Sequence, residues 1–363
     1  MGQINELIGL RGVLAWWVVG GHLAYVFSQR IGEASYNRSA VDVFIILSGF
    51  VIMRLIDTKR ETYKPYIIRR FMRLFPIYFV VLMVSALTLG LQQYGLSSAP
   101  FETERTASRI AALAAAESNI VPHMAAHLTM LHGLVPTALI SKVDTSIVGQ
   151  AWSISVEWQY YLLAPLIFWG LVGDWKTRAA TLFGAAALFV MSKFGPLSSN
   201  DAFIGGSVGW FAVGIGTYFG IKAREEKRIA LLVVFAAVSL AVVGVATRSP
   251  GAVLWSLVML WLVGWVPAIV KRGITAVLTH PAVILLGEAS YSTYVVHMLV
   301  IYLSMAALGP LHLSTTAYAV SLVAMTVVGT AILSIIGWYR IEEPGMEAGK
   351  YITRRRDALA PSL

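Results

Sequence analysis

The stretch "AWSISVEWQYYLLAPLIFWGL" (151–171) is long and apolar enough to cross a bilayer, yet it carries a carboxylate, Glu157. A charge inside a membrane helix costs several kcal/mol and calls for a partner and a purpose. The candidates are ionisable residues in other apolar stretches: His22, His297 and Asp42. An imidazole near neutral pKa beside a carboxylate is suited to general acid–base catalysis. The ring takes the proton, and the carboxylate orients the ring and stabilises its charged form. A proton-coupled transporter would bury the same pair at mid-depth. A lipid-organising scaffold would need neither residue. The ionisable residues alone leave enzyme and transporter both open.

The elements that must position these groups follow from composition. Of 363 residues, 57% are hydrophobic and only 13% are charged. Soluble domains run nearer 25% charged, so the chain reads as an all-α, polytopic membrane protein without a soluble catalytic domain. There is no cysteine. This excludes disulfides, thiolate nucleophiles and cysteine-bound metals, and no metal is expected. The first apolar segment contains Arg11 and His22 and lacks a convincing cleavage site, so it reads as a mature helix rather than a signal peptide.

Ten spans are predicted, at 7–28, 40–56, 74–95, 152–172, 178–194, 203–221, 229–247, 252–270, 281–308 and 315–339. Each has roughly the length that about 30 Å of hydrocarbon requires. Twenty-one of the 28 Lys and Arg fall on one side of this arrangement. The positive-inside rule makes that side cytoplasmic, with both termini on it. The net charge of +9 is thereby explained by orientation, and no basic stripe remains for nucleic acid. The segment 59–76, "KRETYKPYIIRRFMRLFP", reads as an interfacial helix. The long connection 97–151 is expected to fold over the outer mouth of the bundle.

Counting rise per residue sets the depths. His22 lies about 22 Å along the first span and His297 about 24 Å along the ninth, both from the cytoplasmic side. Glu157 lies about 8 Å in from the other side, where Asp42 begins the second span. Four ionisable residues from four helices then share one level, and His22 is the expected partner of Glu157. Arg11 and His22 project from one face of the first span, about 16 Å apart. A ligand with a charged head and a thin arm fits that geometry, and coenzyme A is one. Singly, the bland readings stand beside these. His297 reads as a packing residue, Asp42 as a helix N-cap, Arg69, Arg70 and Arg73 as lipid anchors, and Trp152, Tyr160 and Tyr161 as interface aromatics.

Six blocks, in order, carry a further signal: "INELIGLRGVLAWWVVGGH" (4–22), "AVDVFIILSGFVI" (40–52), "RRFMRLFPIY" (69–78), "AWSISVEWQYYLLAPL" (151–166), "LGEASYSTYVVHMLVI" (286–301) and "YRIEEP" (339–344). With them the chain resembles the membrane acyltransferase-3 family, O-acyltransferases of cell-surface glycans. The resemblance implies an acyl-CoA donor, acetyl-CoA first, a glycan or glycolipid acceptor, and residence in a bacterial plasma membrane among its lipids. It places the family's arginine–histidine pair on Arg11 and His22, and its basic block on Arg69, Arg70 and Arg73. The serine-rich block ending in glutamate falls on Ser153, Ser155 and Glu157. The "SYSTY..H" block gives Ser290, Tyr291, Tyr294 and His297. The closing glutamate is Glu342 or Glu343, with Glu343 preferred. On this reading His22, Glu157 and His297 are catalytic, the four arginines hold the donor, and Asp42, Tyr294 and Ser290 contact substrate. An appended esterase-like domain, found in some relatives, is not expected in these 363 residues.

Overall fold

The computed structural model describes residues 4–223 and 227–357. Residues 224–226 of the basic turn "KAREEKR" and the tail beyond 357 lie outside the described residues. Among the described residues there is no strand. Six helices among the described residues are long and apolar enough to cross a membrane, or seven if one bent pair counts as a single span.

The chain opens with α1 (Asn5–Phe27), a short α2 (Gln29–Ala34), α3 (Asn37–Lys59), α4 (Tyr63–Leu87) and α5 (Leu89–Ser98). The expected interfacial helix over 59–76 is not separate. Lys59 ends α3 and Arg60 caps it, while Lys64, Arg69, Arg70 and Arg73 lie in the first half of α4, which runs through Pro76 without a break. Proline leaves the carbonyl four residues earlier without its helical bond. That carbonyl belongs to Met72, and the late helix α17 (Glu343–Asp357) brings Gly345 so close that a β-carbon there would sit 2.9 Å from it.

The connection 97–151 enters the protein interior. After α6 (Glu104–Ser118) and α7 (Ile120–Leu128) it turns inward, and residues 146–151 are buried. Buried backbone polar groups need partners, and Arg109 supplies them. Its guanidinium donates to the carbonyls of Ser146 at 2.6 Å and Ile147 at 3.0 Å, and also to that of Thr145. The Gln150 side-chain amide donates to the carbonyl of Val295. Consequently α8 (Ala151–Val172) starts inside the protein, and Glu157 lies deeper than a count from the outer surface placed it.

Next come α9 (Trp175–Phe194), which has no buried residue, α10 (Val208–Lys222), whose Phe211, Gly214, Thr217, Tyr218 and Ile221 are buried, and α11 (Lys227–Ala246). The expected span 252–270 is instead α12 (Pro250–Val263) and α13 (Ala268–Leu278), bent by 111° at a left-handed Gly264. The expected span 281–308 is divided at Ala289 into α14 (Pro281–Glu288) and α15 (Ser290–Leu308), and α16 (Thr315–Gly337) leads through a π-helical turn, 338–342, into α17. Close approach of backbones fixes the centre. A β-carbon at Gly214 of α10 would lie 2.1 Å from the carbonyl oxygen of Ile46 on α3, so only glycine permits this contact.

Candidate active site

Helix periodicity gathers the polar residues. On α8, Ser153, Glu157 and Tyr161 recur every four residues and share one face. Arg70 and Arg73, three apart, share a face of α4. Both sets line a cavity of about 170 Å³, together with Arg11 of α1, Ser48 of α3 and Ser290 and Tyr294 of α15. Three guanidiniums and one carboxylate therefore face a single small space.

Glu157 is held by hydroxyls. Its Oε1 accepts from Ser48 Oγ at 3.0 Å and from the Tyr161 phenol. Its charge lies within electrostatic reach of Arg11 and Arg73. The expected pairing of Glu157 with His22 is not present, because α8 begins inside the bundle and carries Glu157 toward the arginines. Arg70 stacks its guanidinium over the Tyr161 ring, 5.9 Å from its centroid, and its buried Nε has no partner among the described residues.

At the opposite end of the cavity, the Tyr294 hydroxyl lies 2.6 Å from Ser153 Oγ and donates to the carbonyl of Gln150 at 3.1 Å. Behind it stand the two histidines. The Tyr294 and His297 rings are 5.8 Å apart, and the His297 and His22 rings 5.2 Å apart. His297 Nδ1 is 2.7 Å from the carbonyl of Tyr294. A carbonyl only accepts, so in the neutral ring the proton sits on Nδ1 and Nε2 keeps its lone pair. That Nε2 is buried and unpartnered among the described residues. His22 is half-buried and does not itself line the cavity.

Two expected site residues lie elsewhere. Arg69, 100° around α4 from Arg70, pairs with Glu61 at 2.6 Å and donates to Thr353 Oγ1 of α17 at 3.0 Å. Asp42 is half-buried on α3, with Arg38 as its facing cation, and does not line the cavity. Conversely, Ser48 and Tyr161 carry no signal in the sequence beyond their helical register. Of the two closing glutamates it is Glu342, not the preferred Glu343, that is buried. It accepts from Ser292 Oγ at 2.8 Å and lies within reach of Arg73 and Arg11. Glu343 is preferred in the sequence because it directly precedes Pro344, whereas the π-helical turn over 338–342, which adds a residue to the turn, ends with Glu342 facing inward.

A second histidine group lies within the 97–151 connection itself. His127 and His132 stack with ring centroids 4.2 Å apart, and His123 Nδ1 lies 2.9 Å from Ser146 Oγ. Burial pushes His132 down to about 3 and holds His127 well below its ordinary value. Among the described residues, no group of three His, Asp or Glu is placed to hold a metal ion.

The fold and this site define an all-helical integral membrane protein with a cation-lined interior cavity next to a pair of imidazoles. The chain belongs to the membrane acyltransferase-3 family, described as "Acyltransferase domain", which matches residues 4–335. Membership supports an acyltransferase activity and, in general terms, an acyl donor and an acceptor. Comparison with curated proteins and with solved structures gives no match.

Proposed function

We propose that the protein transfers an acyl group, acetyl first, from cytoplasmic acyl-CoA to a hydroxyl of an exported or lipid-linked glycan. The supporting observation is the graded cavity. It is cationic at Arg11, Arg70 and Arg73, hydroxyl-lined at Ser153 and Tyr294, and continues through Tyr294 and His297 to His22. In this reading the bundle crosses the bilayer ten times, with both termini on the cytoplasmic side that the basic residues mark. At about 170 Å³, the cavity suits a thin arm rather than a bulky nucleotide. The arginines hold donor phosphates at its entrance, where charge-assisted, fork-shaped hydrogen bonds are strongest.

His22 takes the proton of the acceptor hydroxyl as the oxygen attacks the thioester carbonyl carbon. The carbon–sulfur bond then breaks, and the same proton passes to the departing thiolate. His297 assumes the orienting role first expected of Glu157: its free Nε2 is an acceptor for an N–H of His22. Glu157 balances the arginines. The arm must pass Tyr294 and His297 to reach His22, which separates a donor side from an acceptor side.

Sealed vesicles of known orientation test both parts. Labelled acetyl-CoA on the basic side and an impermeant glycan on the other should give acylated glycan. His22→Ala should lower the rate about 10²–10⁴-fold while the protein still inserts and purifies. Wild-type rates in that variant refute the base assignment. Acylation only when donor and acceptor share a side refutes the through-membrane route. Solute uptake without thioester consumption would identify a transporter instead.

A further inference from the structure

A second cavity, of about 480 Å³, lies where the turn between α3 and α4 meets the second half of α8. We propose that it binds the phosphate of an anionic phospholipid. Its polar wall is Lys59, Arg60, Tyr63 and Tyr66, and its apolar wall is Leu166 and Trp169.

Four observations converge. First, α4 is a 25-residue helix whose N-cap, Thr62, makes no side-chain capping bond. The first N–H groups of such a helix are a ready anion site. Second, Lys59 and Arg60 are exposed beside it, and the nearby carboxylates are already engaged. Glu61, which also lines the cavity, is held by Arg69 at 2.6 Å, and Asp57 by Tyr218 and Lys222. Third, Tyr66 is 2% exposed, and its hydroxyl has no partner among the described residues. A buried phenol of this kind lacks an acceptor, and a phosphate oxygen is one. Fourth, Leu166 and Trp169 are 67% and 63% exposed. Both are large apolar side chains in the second half of α8. A free phosphate or a nucleotide would leave that wall uncovered, whereas the acyl chains of a lipid would lie along it. Basic residues at the end of a span attract anionic headgroups. The inference does not depend on the acyltransferase reading.

The test is native mass spectrometry of the purified protein, titrated with dioleoyl phosphatidylglycerol or dioleoyl phosphatidylcholine. Wild type should bind the anionic lipid about twenty-five-fold more tightly, at about fivefold for each of two basic residues. Lys59→Gln combined with Arg60→Gln should erase that preference. Tyr66→Phe, which removes only the hydroxyl, should weaken both lipids. Size-exclusion profiles check that the variants stay folded. Equal binding of the two lipids by wild type, or unchanged binding in both variants, overturns the proposal. So does displacement of phosphatidylglycerol by coenzyme A, which would make the cavity part of the donor site.

Discussion

Replacing Glu157 by glutamine separates two roles that a buried carboxylate could play. Glu157 is the one carboxylate lining a cavity that three guanidiniums share. Glutamine keeps the shape and an amide oxygen that still accepts from Ser48 and Tyr161, so the packing should hold. The charge is lost. With a bound phosphate roughly 7 Å away and an effective dielectric between roughly 20 and 40, one unit charge is worth about 1–2 kcal/mol. Removing that repulsion, and freeing Arg11 and Arg73 from their counter-charge, both favour the donor. Binding of coenzyme A to the Glu157→Gln variant should therefore tighten about 5–30-fold. Meanwhile the loss of charge assistance to two hydroxyl donors should lower the melting temperature. Isothermal titration calorimetry gives the affinity, and single-turnover transfer gives the chemical step. If transfer falls by about 10² or more at unchanged affinity, Glu157 acts in the chemistry and the charge-balancing role is wrong.

Three further outcomes follow from the same geometry. Arg69→Ala should leave coenzyme A affinity unchanged and cost about 1–3 kcal/mol of stability through its lost contacts to Glu61 and Thr353; Arg70→Ala with Arg73→Ala should abolish measurable binding, and equal losses in the two variants would return Arg69 to the site. His297→Ala should slow transfer nearly as much as His22→Ala without weakening donor binding, and a rate within threefold of wild type would remove His297 from the base. Because the folded protein holds His132 depressed from 6.5 to about 3, the unfolded chain binds more protons in that window, so stability falls as pH drops from about 6.5 toward 3, by up to about 1.4 kcal/mol per pH unit; thermal melts of His132→Phe should show a shallower slope, and identical slopes would refute the linkage.

Local periodicity was legible in the sequence, and distant contact was not. The three-residue spacing of Arg70 and Arg73 and the four-residue spacing of Ser153, Glu157 and Tyr161 predict shared faces, and those faces line one cavity. The same arithmetic puts Arg69, four residues from Arg73, near that face as well, so what withdraws it, its contacts to Glu61 and to Thr353 of α17, was not legible from spacing. The partner of Glu157 was illegible for a different reason. Depth was counted from the surface, whereas Arg109 and Gln150 hold residues 145–150 inside the bundle, so α8 starts from an interior origin. Arg109 lies 36 to 38 residues from the carbonyls it holds and Gln150 lies 145 residues from Val295, and no periodicity announces such clamps. Nor did composition foretell the bend at Gly264 or the π-helical turn that puts Glu342 inward, since each is a local departure from the regular helix that span counting assumes.

The glycines of α1 bear on how the site would measure its donor. A β-carbon at Gly9 would lie 2.0 Å from the Leu278 carbonyl oxygen, and one at Gly12 would lie 2.7 Å from the Gly287 nitrogen. Backbone therefore meets backbone on both sides of Arg11, and α1 is seated against α13 and α14 where a shift along its axis would force atoms to overlap. Arg11 and His22 belong to this one seated helix, so their axial separation of about 16 Å is set by covalent geometry rather than by side-chain adjustment. His297 reaches His22 from α15, which also packs on α1, and the imidazole pair shares that frame of reference. In the proposed reaction, a donor whose phosphates engage Arg11 brings its thioester to His22 only if its arm covers that fixed distance. The acyl group beyond the sulfur is then the one part of the donor whose length α1 does not gauge, and selectivity for it must come from the walls around Tyr294 and Ser153.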